Sequence, residues 1–220
     1  MPTFTPMGDQ AVLVRFEREA DALQFAASVR SSSIPGIVDV VPAYFAVAVF
    51  YDLNSVRYAT LVLQLQALPI GAGSEVAAES RLRVIPCCYE LGPDLERIAS
   101  HTGLTQPEVI RLHSETIYTV YAIGFSPGFP YLGYLHEKLC GVPRLPSPRL
   151  RVEPGSVGLT GRQTGIYPLE RPGGWNLLGR TPLTMVDVAD GYFPLRAGDR
   201  VQFVPIDRAE FERRKGQRLE

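Results

Sequence analysis

The sequence predicts an α+β protein of two domains, with an N-terminal ferredoxin-like α/β sandwich over residues 1–85 and a C-terminal β-barrel over residues 86–220. The first observation is the order of elements before residue 86, βαββαβ, which is the order of a ferredoxin-like sandwich. The second is a series of short strand patterns after residue 116, punctuated by glycine and proline, which favours a small closed or nearly closed barrel.

In the N-terminal domain, β-branched and aromatic runs predict strands, and apolar residues at helical spacing predict helices. The stretch 71–80 is rich in small residues and predicts a loop or hinge before the last strand. The strands are predicted at residues 11–16, 37–41, 44–51 and 81–86, and the helices at residues 19–29 and 55–68.

Two short helices are predicted next. Pro93 suits the first turn of a helix over residues 94–100, which Gly103 terminates. Thr105 and Glu108 have the spacing of a capping box, which begins a helix that runs to about Ser114. A DNA-reading helix-turn-helix is disfavoured because the second helix lacks the cluster of Arg, Lys, Asn and Gln residues that a recognition helix needs. The strands that follow are predicted at residues 116–123, 157–160, 176–178, 183–188 and 201–204.

The composition is that of an ordinary globular protein, with 45% apolar and 20% charged residues and a net charge of −1. This charge argues against a general nucleic-acid binder. No apolar stretch approaches the roughly 20 residues of a membrane span, and the N-terminus lacks the pattern of a secretory signal. Three cysteines, two of them adjacent, are unsuited to a disulfide framework. We therefore expect a cytoplasmic protein with reduced thiols.

Residues 124–182 are the most informative part of the chain. These 59 residues hold 11 of the 20 glycines, 9 of the 19 prolines and the only tryptophan. Glycine and proline exclude long helices, and the many aromatic residues exclude a solvated linker. The segment carries seven cationic side chains against three glutamates, so its net charge is near +4. This pattern predicts a rigid surface with a site for an anion.

Candidate ligand-binding residues fall in four blocks of this segment. Phe125, Phe129 and Tyr131 could wall a pocket or plug one end of the barrel. Arg144 and Arg149 each follow a proline, which stiffens the chain before a guanidinium that could grip a carboxylate or phosphate or remain solvated.

The third and fourth blocks contain polar and glycine residues. Gln163 suits an amide or lactam and Tyr167 offers a hydroxyl, although either could instead hold a loop in place. Gly173 and Gly174 could direct backbone N–H groups at an anion, and Trp175 could be a ligand platform or a core residue. Arg180 completes the fourth block.

The sequence does not identify the catalytic group. His113 lies near the C-terminal end of a predicted helix and is a candidate for a general acid or base. No P-loop or nucleophile elbow is present, and the three histidines lack the spacing of zinc ligands. We therefore expect no metal site on this chain.

The sequence resembles the family of B-type subunits of 5-oxoprolinase, also called KipI-like or allophanate hydrolase subunit 1. The main matching blocks are GFSPGFPYLG, PRLPSPR, PGSVGLTGRQTGIYP and RPGGWNLLGRTP. The resemblance extends to GDQAVLVRF, VDVVPAYFAVAVFYD, IPCCYELGPDLERIASHTGL and EVIRLHS, so it covers nearly the whole chain. One departure is His136-Glu137-Lys138 after YLG, where the family more usually has a Gly-Leu-Asp-type sequence.

The resemblance implies an N-terminal α/β domain and a cyclophilin-like C-terminal barrel. It implies a complex with a KipA-like, C-type subunit and with a LamB/YcsF-like, A-type subunit, which hydrolyses 5-oxo-L-proline to L-glutamate with ATP. Pairing with the KipA-like protein is expected to give a composite surface similar to the carboxyltransferase part of urea carboxylases. The resemblance does not assign ATP binding to this chain. It leaves open two other functions, inhibition of a sporulation histidine kinase and a role in allophanate or urea hydrolysis.

Overall fold

The computed structural model describes residues 1–69 and 81–219. The chain divides into two compact units, Met1–Ser80 and Arg81–Glu220. The loop predicted at residues 71–80 lies outside the described residues. Within the described part, no helix has both the length and the apolar character needed to cross a bilayer.

The N-terminal unit is a four-stranded antiparallel sheet covered by two helices. The strand order is β1-β2-β4-β3. Alternating valines of the strands, such as Val12 and Val47, pack with Phe25 and Leu61 of the helices. The elements are β1 Thr3–Pro6, β2 Ala11–Arg15, α1 Glu19–Ser31, β3 Ile37–Ala43, β4 Ala46–Tyr51 and α2 Tyr58–Gln66.

The prediction that residues 81–86 complete this sheet is wrong. A strand forms there, β5 Leu82–Cys87, but it pairs in parallel with a strand of the second unit, β13 Arg200–Pro205. In the predicted ferredoxin-like order, the last strand would pair with β2. In the structure β1 pairs with β2 instead, and the sequence pattern does not predict β1. Periodicity indicates that a segment forms a strand and does not indicate which sheet it joins. The division of the chain into domains at residues 85 and 86 stays a prediction.

The second unit is built on a seven-stranded sheet of order β12-β9-β10-β7-β6-β13-β5. A separate two-stranded sheet pairs β8 with β11. Short 3-10 helices occupy Tyr89–Leu91 and Glu137–Leu139. The other elements are α3 Leu95–Thr102, α4 Gln106–Glu115, β6 Ile117–Ile123, β7 Pro130–Gly133, β8 Arg149–Val152, β9 Ser156–Thr160, β10 Gln163–Ile166, β11 Arg171–Gly173, β12 Asn176–Arg180 and α5 Arg208–Arg214.

The seven-stranded sheet is nearly closed into a barrel. Its two outermost strands meet where Cys88, directly after β5, forms an antiparallel bridge with Arg180 at the end of β12. The N–H of Cys88 donates to the carbonyl of Arg180 at 2.8 Å, and the N–H of Arg180 donates back at 3.0 Å. Gly179 makes this close approach of the two strands possible. Any other residue would place its Cβ 2.6 Å from the sulfur of Cys87, which is too close for two non-bonded atoms. The predicted nearly closed barrel is therefore present.

The helix-end signals in the sequence are largely confirmed. Thr105 and Glu108 form the complete capping box at the start of α4, and Gly103 ends α3 in the left-handed conformation. Pro93 lies outside the first turn, because α3 begins at Leu95 and Asp94 is its N-cap residue. All three cysteines are free thiols.

The prediction of a strand at residues 183–188 is wrong. Thr184 and Asp187 make only isolated bridges, to Arg218 and Tyr192. Leu183 and Met185 are nevertheless buried in the core of the second unit. Their apolar character reflects burial of a loop rather than pairing in a sheet.

Candidate functional site

Five aromatic residues predicted from the sequence lie together in the second unit, and we call them the aromatic cluster: Phe125, Phe129, Tyr131, Tyr167 and Trp175. The ring of Phe129 is central, with its centroid 5.0 to 5.5 Å from those of the other four. All four contacts are edge-to-face, the arrangement that aromatic quadrupoles favour. Phe125 is 60% exposed, whereas Phe129, Tyr167 and Trp175 are buried.

The pairing of β7 with β10 brings the cluster together. Phe129 precedes β7, Tyr131 lies within it, and Tyr131 is directly opposite Gly165 of β10. A Cβ at Gly165 would lie 2.9 Å from the ring of Phe129, so glycine is needed for the ring to pack over the sheet. Phe125 has a positive φ of 65°, which is strained for a bulky residue and places its ring edge-on to Tyr167.

Tyr167 connects the aromatic cluster to the glycine block. A Cβ at Gly173 would overlap the Tyr167 hydroxyl and lie 2.8 Å from its ring carbon Cε1. The Tyr167 hydroxyl also lies close to the backbone of Trp175, which acts to lower its pKa. Burial raises the pKa of Tyr167, and the charges of Arg144 and Arg149 act in the opposite direction. Tyr167 is therefore a neutral hydroxyl close to two guanidinium groups.

Arg149 is held by Asp94, a residue that sequence reasoning missed. The guanidinium Nη2 donates to Asp94 Oδ1 at 2.7 Å, and the two side chains are 29% and 9% exposed. The second terminal nitrogen, Nη1, is buried and has no hydrogen-bond acceptor among the described residues. Buried donors without acceptors are rare in native proteins, so Nη1 marks a place where an acceptor is missing.

Asp94 also fixes the neighbouring strand. Its Oδ2 accepts from the N–H of Leu177 at 2.7 Å, and its own N–H donates to the carbonyl of Leu177 at 3.0 Å. One turn further along α3, Arg97 Nε donates to Asn176 Oδ1 at 2.9 Å. The start of α3 is thereby tied to β12 beside the aromatic cluster.

The positive charge predicted for residues 124–182 is partly neutralised by ion pairs. Arg151 contacts Glu153 at 2.9 Å and Glu170 at 3.0 Å, and Arg149 pairs with Asp94. Arg180 lies 3.7 Å from Glu153. Within residues 1–69 and 81–219, Arg144 forms no ion pair and is exposed. Arg144 is therefore a cation without a carboxylate partner in the described residues, and its charge acts on Tyr167 of the cluster.

Two predicted site residues lie farther along the strands. Gln163 begins β10 opposite Gly133, two residues from Gly165, which pairs with Tyr131 of the cluster. Arg180 lies at the far end of β12 from Trp175, where its Nε donates to the carbonyl of Pro154 at 2.9 Å. Gly174 lies next to Trp175, and its carbonyl accepts from the N–H of Leu145 at 2.7 Å.

His113 is fully buried in the core of the second unit. Its Nδ1 lies 2.8 Å from the Tyr89 hydroxyl, and its Nε2 lies 3.0 Å from Thr164 Oγ1. Because Thr164 donates its only hydroxyl proton to the carbonyl of Gly158, His113 must donate from Nε2 and accept from Tyr89 at Nδ1. Burial lowers the pKa of His113 to about 3, so the ring is neutral at physiological pH. Both ring nitrogens are satisfied within the core, which favours a structural role.

The site thus offers donors and apolar walls. Arg149 Nη1, the Tyr167 hydroxyl proton and Arg144 can donate to an anion, while the aromatic cluster can pack against a flat ring. In the described part of the chain, no group of three or more His, Cys, Asp or Glu residues is placed to hold a metal ion.

The chain belongs to a family of carboxyltransferase domains. The family model "Carboxyltransferase domain, subdomain C and D" matches residues 2–193. The solved structure of TTHA0988 superimposes with a TM-score of 0.80 at 38% identity, covering 90% of this chain and 40% of that chain. This chain therefore spans less than half the length of TTHA0988. The Kluyveromyces lactis urea carboxylase shares the fold, with a TM-score of 0.68 at 19% identity over 96% of this chain and 22% of its own.

Comparison with curated relatives identifies the family more specifically. The B-type subunit of 5-oxoprolinase from Bacillus subtilis (strain 168) is 35% identical and is matched over 93% of each chain. The B-type subunit of 5-oxoprolinase from Escherichia coli O157:H7 is 52% identical over 58% of this chain and 59% of its own. The chain belongs to the family of 5-oxoprolinase B-type subunits.

Proposed function

We propose that this chain is a subunit of an ATP-dependent 5-oxoprolinase complex that hydrolyses 5-oxo-L-proline to L-glutamate. The observation that carries the proposal is the match to the Bacillus subtilis 5-oxoprolinase component over 93% of each chain. The site geometry supports it, because buried aromatic rings beside unpaired donors suit a small cyclic amide that bears a carboxylate.

The chemistry explains why such a reaction requires ATP. A five-membered lactam is an unreactive amide. Transfer of the γ-phosphoryl group of ATP to its carbonyl oxygen releases ADP and makes the carbonyl carbon more electrophilic. Water can then add to that carbon, and the carbon–nitrogen bond breaks as the nitrogen takes up a proton. A second water hydrolyses the resulting acyl phosphate to glutamate and inorganic phosphate. Charge that develops on oxygen during this addition requires nearby hydrogen-bond donors. The sequence contains no P-loop, and we assign substrate binding rather than nucleotide binding to this chain.

The proposed partners are a KipA-like, C-type subunit and a LamB/YcsF-like, A-type subunit. The coverage of TTHA0988 supports a partner, because a unit like this one accounts for only 40% of that longer chain. We expect the chain alone to be inactive, and the catalytic surface to be completed when the three proteins assemble.

The test is reconstitution. The three proteins are purified separately, and glutamate release from 5-oxo-L-proline is measured with ATP for each single protein, each pair and the full set. The proposal predicts ATP-dependent release that requires this chain. Absence of turnover in the full set, together with tight binding of this chain to a histidine kinase dimerisation domain, would show an inhibitor instead.

Arg144 provides a second test within the active complex. We expect Arg144→Ala to lower kcat/KM for 5-oxo-L-proline about tenfold, because a charge-assisted contact to the substrate anion is lost. Arg171→Ala is the matched control, since Arg171 is also exposed and its guanidinium donates to the carbonyl of Glu170. Equal kcat/KM values for the two variants would remove Arg144 from the site.

A further inference from the structure

We propose that Arg149 and Tyr167 form a subsite for the carboxylate of the ring-shaped substrate, with Asp94 as the residue that positions Arg149. The inference rests on the proposed function, since it names the part of 5-oxo-L-proline that this chain binds. It also assigns a role to Asp94, which lies outside the sequence segment that carries the other candidate residues.

The first observation is that the two terminal nitrogens of Arg149 differ in their hydrogen bonding. Nη2 is committed to Asp94 Oδ1 at 2.7 Å, whereas Nη1 is buried and has no acceptor among the described residues. An unpaired buried donor on a charged group is costly, and an incoming carboxylate oxygen would satisfy it. Nη1 has no contact with solvent, so a ligand reaches it only when neighbouring side chains move.

The second observation is the position of the Tyr167 hydroxyl. Burial raises its pKa, so the hydroxyl keeps a proton that it can donate to a ligand. Gly173 lies against this hydroxyl with no room for a Cβ, and it pairs with Arg149 across the two-stranded sheet. Tyr167 and Arg149 are thereby held close together by the same backbone contact.

The charge of the surroundings selects a carboxylate. Asp94 neutralises Arg149 without a ligand, which makes burial of the pair tolerable. Addition of one carboxylate leaves a single negative charge, and the unpaired Arg144 can balance it. The Arg149 guanidinium and the Tyr167 hydroxyl both donate hydrogen bonds, so a neutral amide would satisfy them less well than an anion does.

Asp94 positions Arg149 because both of its oxygens are used. One holds the guanidinium and the other holds the N–H of Leu177 in β12, so the carboxylate cannot rotate without losing a bond. The direction of Nη1 is therefore set by the backbone of β12 through Asp94.

The experiment compares two ligands that differ in the carboxylate alone. Dissociation constants of 5-oxo-L-proline and of 2-pyrrolidinone, the same lactam without the carboxylate, are measured by calorimetry on the assembled complex without ATP. We expect the wild type to favour 5-oxo-L-proline by about tenfold or more, and Arg149→Lys, Tyr167→Phe and Asp94→Asn each to reduce that ratio several-fold. The ratio does not depend on the fraction of folded protein, so a merely destabilised variant keeps it.

The double variant and a control isolate the role of Asp94. Because Asp94 acts through Arg149, Asp94→Asn added to Arg149→Lys should lower the ratio no further. In the active complex, Asp94→Asn should raise KM more than it lowers kcat. Arg218→Lys is the control, since Arg218 is exposed and pairs with Asp187 and Asp190. It should retain the wild-type ratio.

The outcomes separate the subsite from the proposed function. Equal affinity of the wild type for both ligands, or a wild-type ratio in Arg149→Lys, overturns the subsite. An unchanged ratio in Asp94→Asn alone overturns the positioning role. If Asp94→Asn does not fold, the Arg149 and Tyr167 variants still decide the carboxylate assignment. A complex that discriminates between the ligands but releases no glutamate with ATP contradicts the proposed function and leaves the subsite standing.

Discussion

At the level of single residues, the surroundings of a side chain decide its chemical role. His113 illustrates this, because its ring stacks on Phe203 with a centroid distance of 4.7 Å and both its nitrogens are hydrogen-bonded inside the core. A candidate acid–base group in the sequence is thus a neutral core residue in the fold. Periodicity places it on a helix but cannot show that Tyr89 and Thr164 enclose it.

The buried His113 should make stability depend on pH. Its folded pKa of about 3 lies below the ordinary value of 6.5, so the unfolded state takes up the proton first as pH falls. The stabilisation is fully present above pH 6.5 and is lost progressively toward pH 3, by up to about 1.4 kcal/mol per pH unit. Urea unfolding between pH 4.5 and 7 measures this, with His113→Gln as the variant that cannot titrate. A free-energy difference between the two proteins that stays constant with pH would contradict the assignment.

The adjacent glycines Gly173 and Gly174 offer a matched pair of substitutions. A Cβ at Gly173 would overlap the Tyr167 hydroxyl, which is buried and cannot swing away, whereas the nearest atoms to a Cβ at Gly174 are 3.8 Å distant. We expect Gly173→Ala to lose at least about tenfold in kcat/KM of the complex and Gly174→Ala to lose much less. Steady-state kinetics on the assembled complex measures both. Similar losses for the two variants would show that the Tyr167 hydroxyl is not needed in its present place.

The aromatic cluster could be predicted from the sequence, whereas the contacts of Asp94 could not, because they join residues far apart in the chain. Phe125, Phe129, Tyr131, Tyr167 and Trp175 lie in one segment whose glycines and aromatics attract attention by composition. Asp94 is 55 residues from Arg149 and 83 residues from Leu177, and neither contact has a local signal in the chain. Only the fold reveals such a pair.

At the level of secondary structure, closure of the barrel depends on the bridge between Cys88 and Arg180. Gly179 lies beside this bridge, and a Cβ there would lie 2.6 Å from Cys87 Sγ and 3.1 Å from the carbonyl of Cys88. Cys87 is fully buried, so the chain can relieve the overlap only by separating the two strands. Capping boxes and terminal glycines are readable in the sequence because their partners are local, whereas this contact joins residues far apart.

Gly179→Ala should therefore destabilise the second unit. We expect a loss of about 1–3 kcal/mol in the free energy of unfolding, the usual range for overpacking. Gly124→Ala is the control, because a Cβ at Gly124 would have Tyr131 at an ordinary 3.8 Å. Urea denaturation followed by tryptophan fluorescence reports on the second unit, since Trp175 is the only tryptophan. A midpoint for Gly179→Ala equal to that of the control would mean that the strands meet elsewhere.

At the level of the whole molecule, the strand β5 decides where the second unit begins. The sequence pattern assigns residues 81–86 to the first sheet, but β5 is paired along its full length with β13. It contributes Ile85 and Cys87 to the core of the second unit, and the residue after it closes the barrel. An alternating strand pattern has no signal for its distant partner, so the sheet that residues 81–86 join could not be predicted from the sequence.

Two fragments that differ by five residues test this boundary. The fragment of residues 81–220 retains β5 and the Cys88 bridge, and we expect it to unfold in a single cooperative transition. The fragment of residues 86–220 lacks most of β5, so β13 becomes an unpaired edge and the core loses Ile85. We expect it to lose cooperative unfolding or to aggregate, as measured by circular dichroism during heating and by size-exclusion chromatography. Equal melting temperatures for the two fragments would show that β5 is dispensable to the barrel, and a boundary between residues 85 and 86 would then be the better description of the chain.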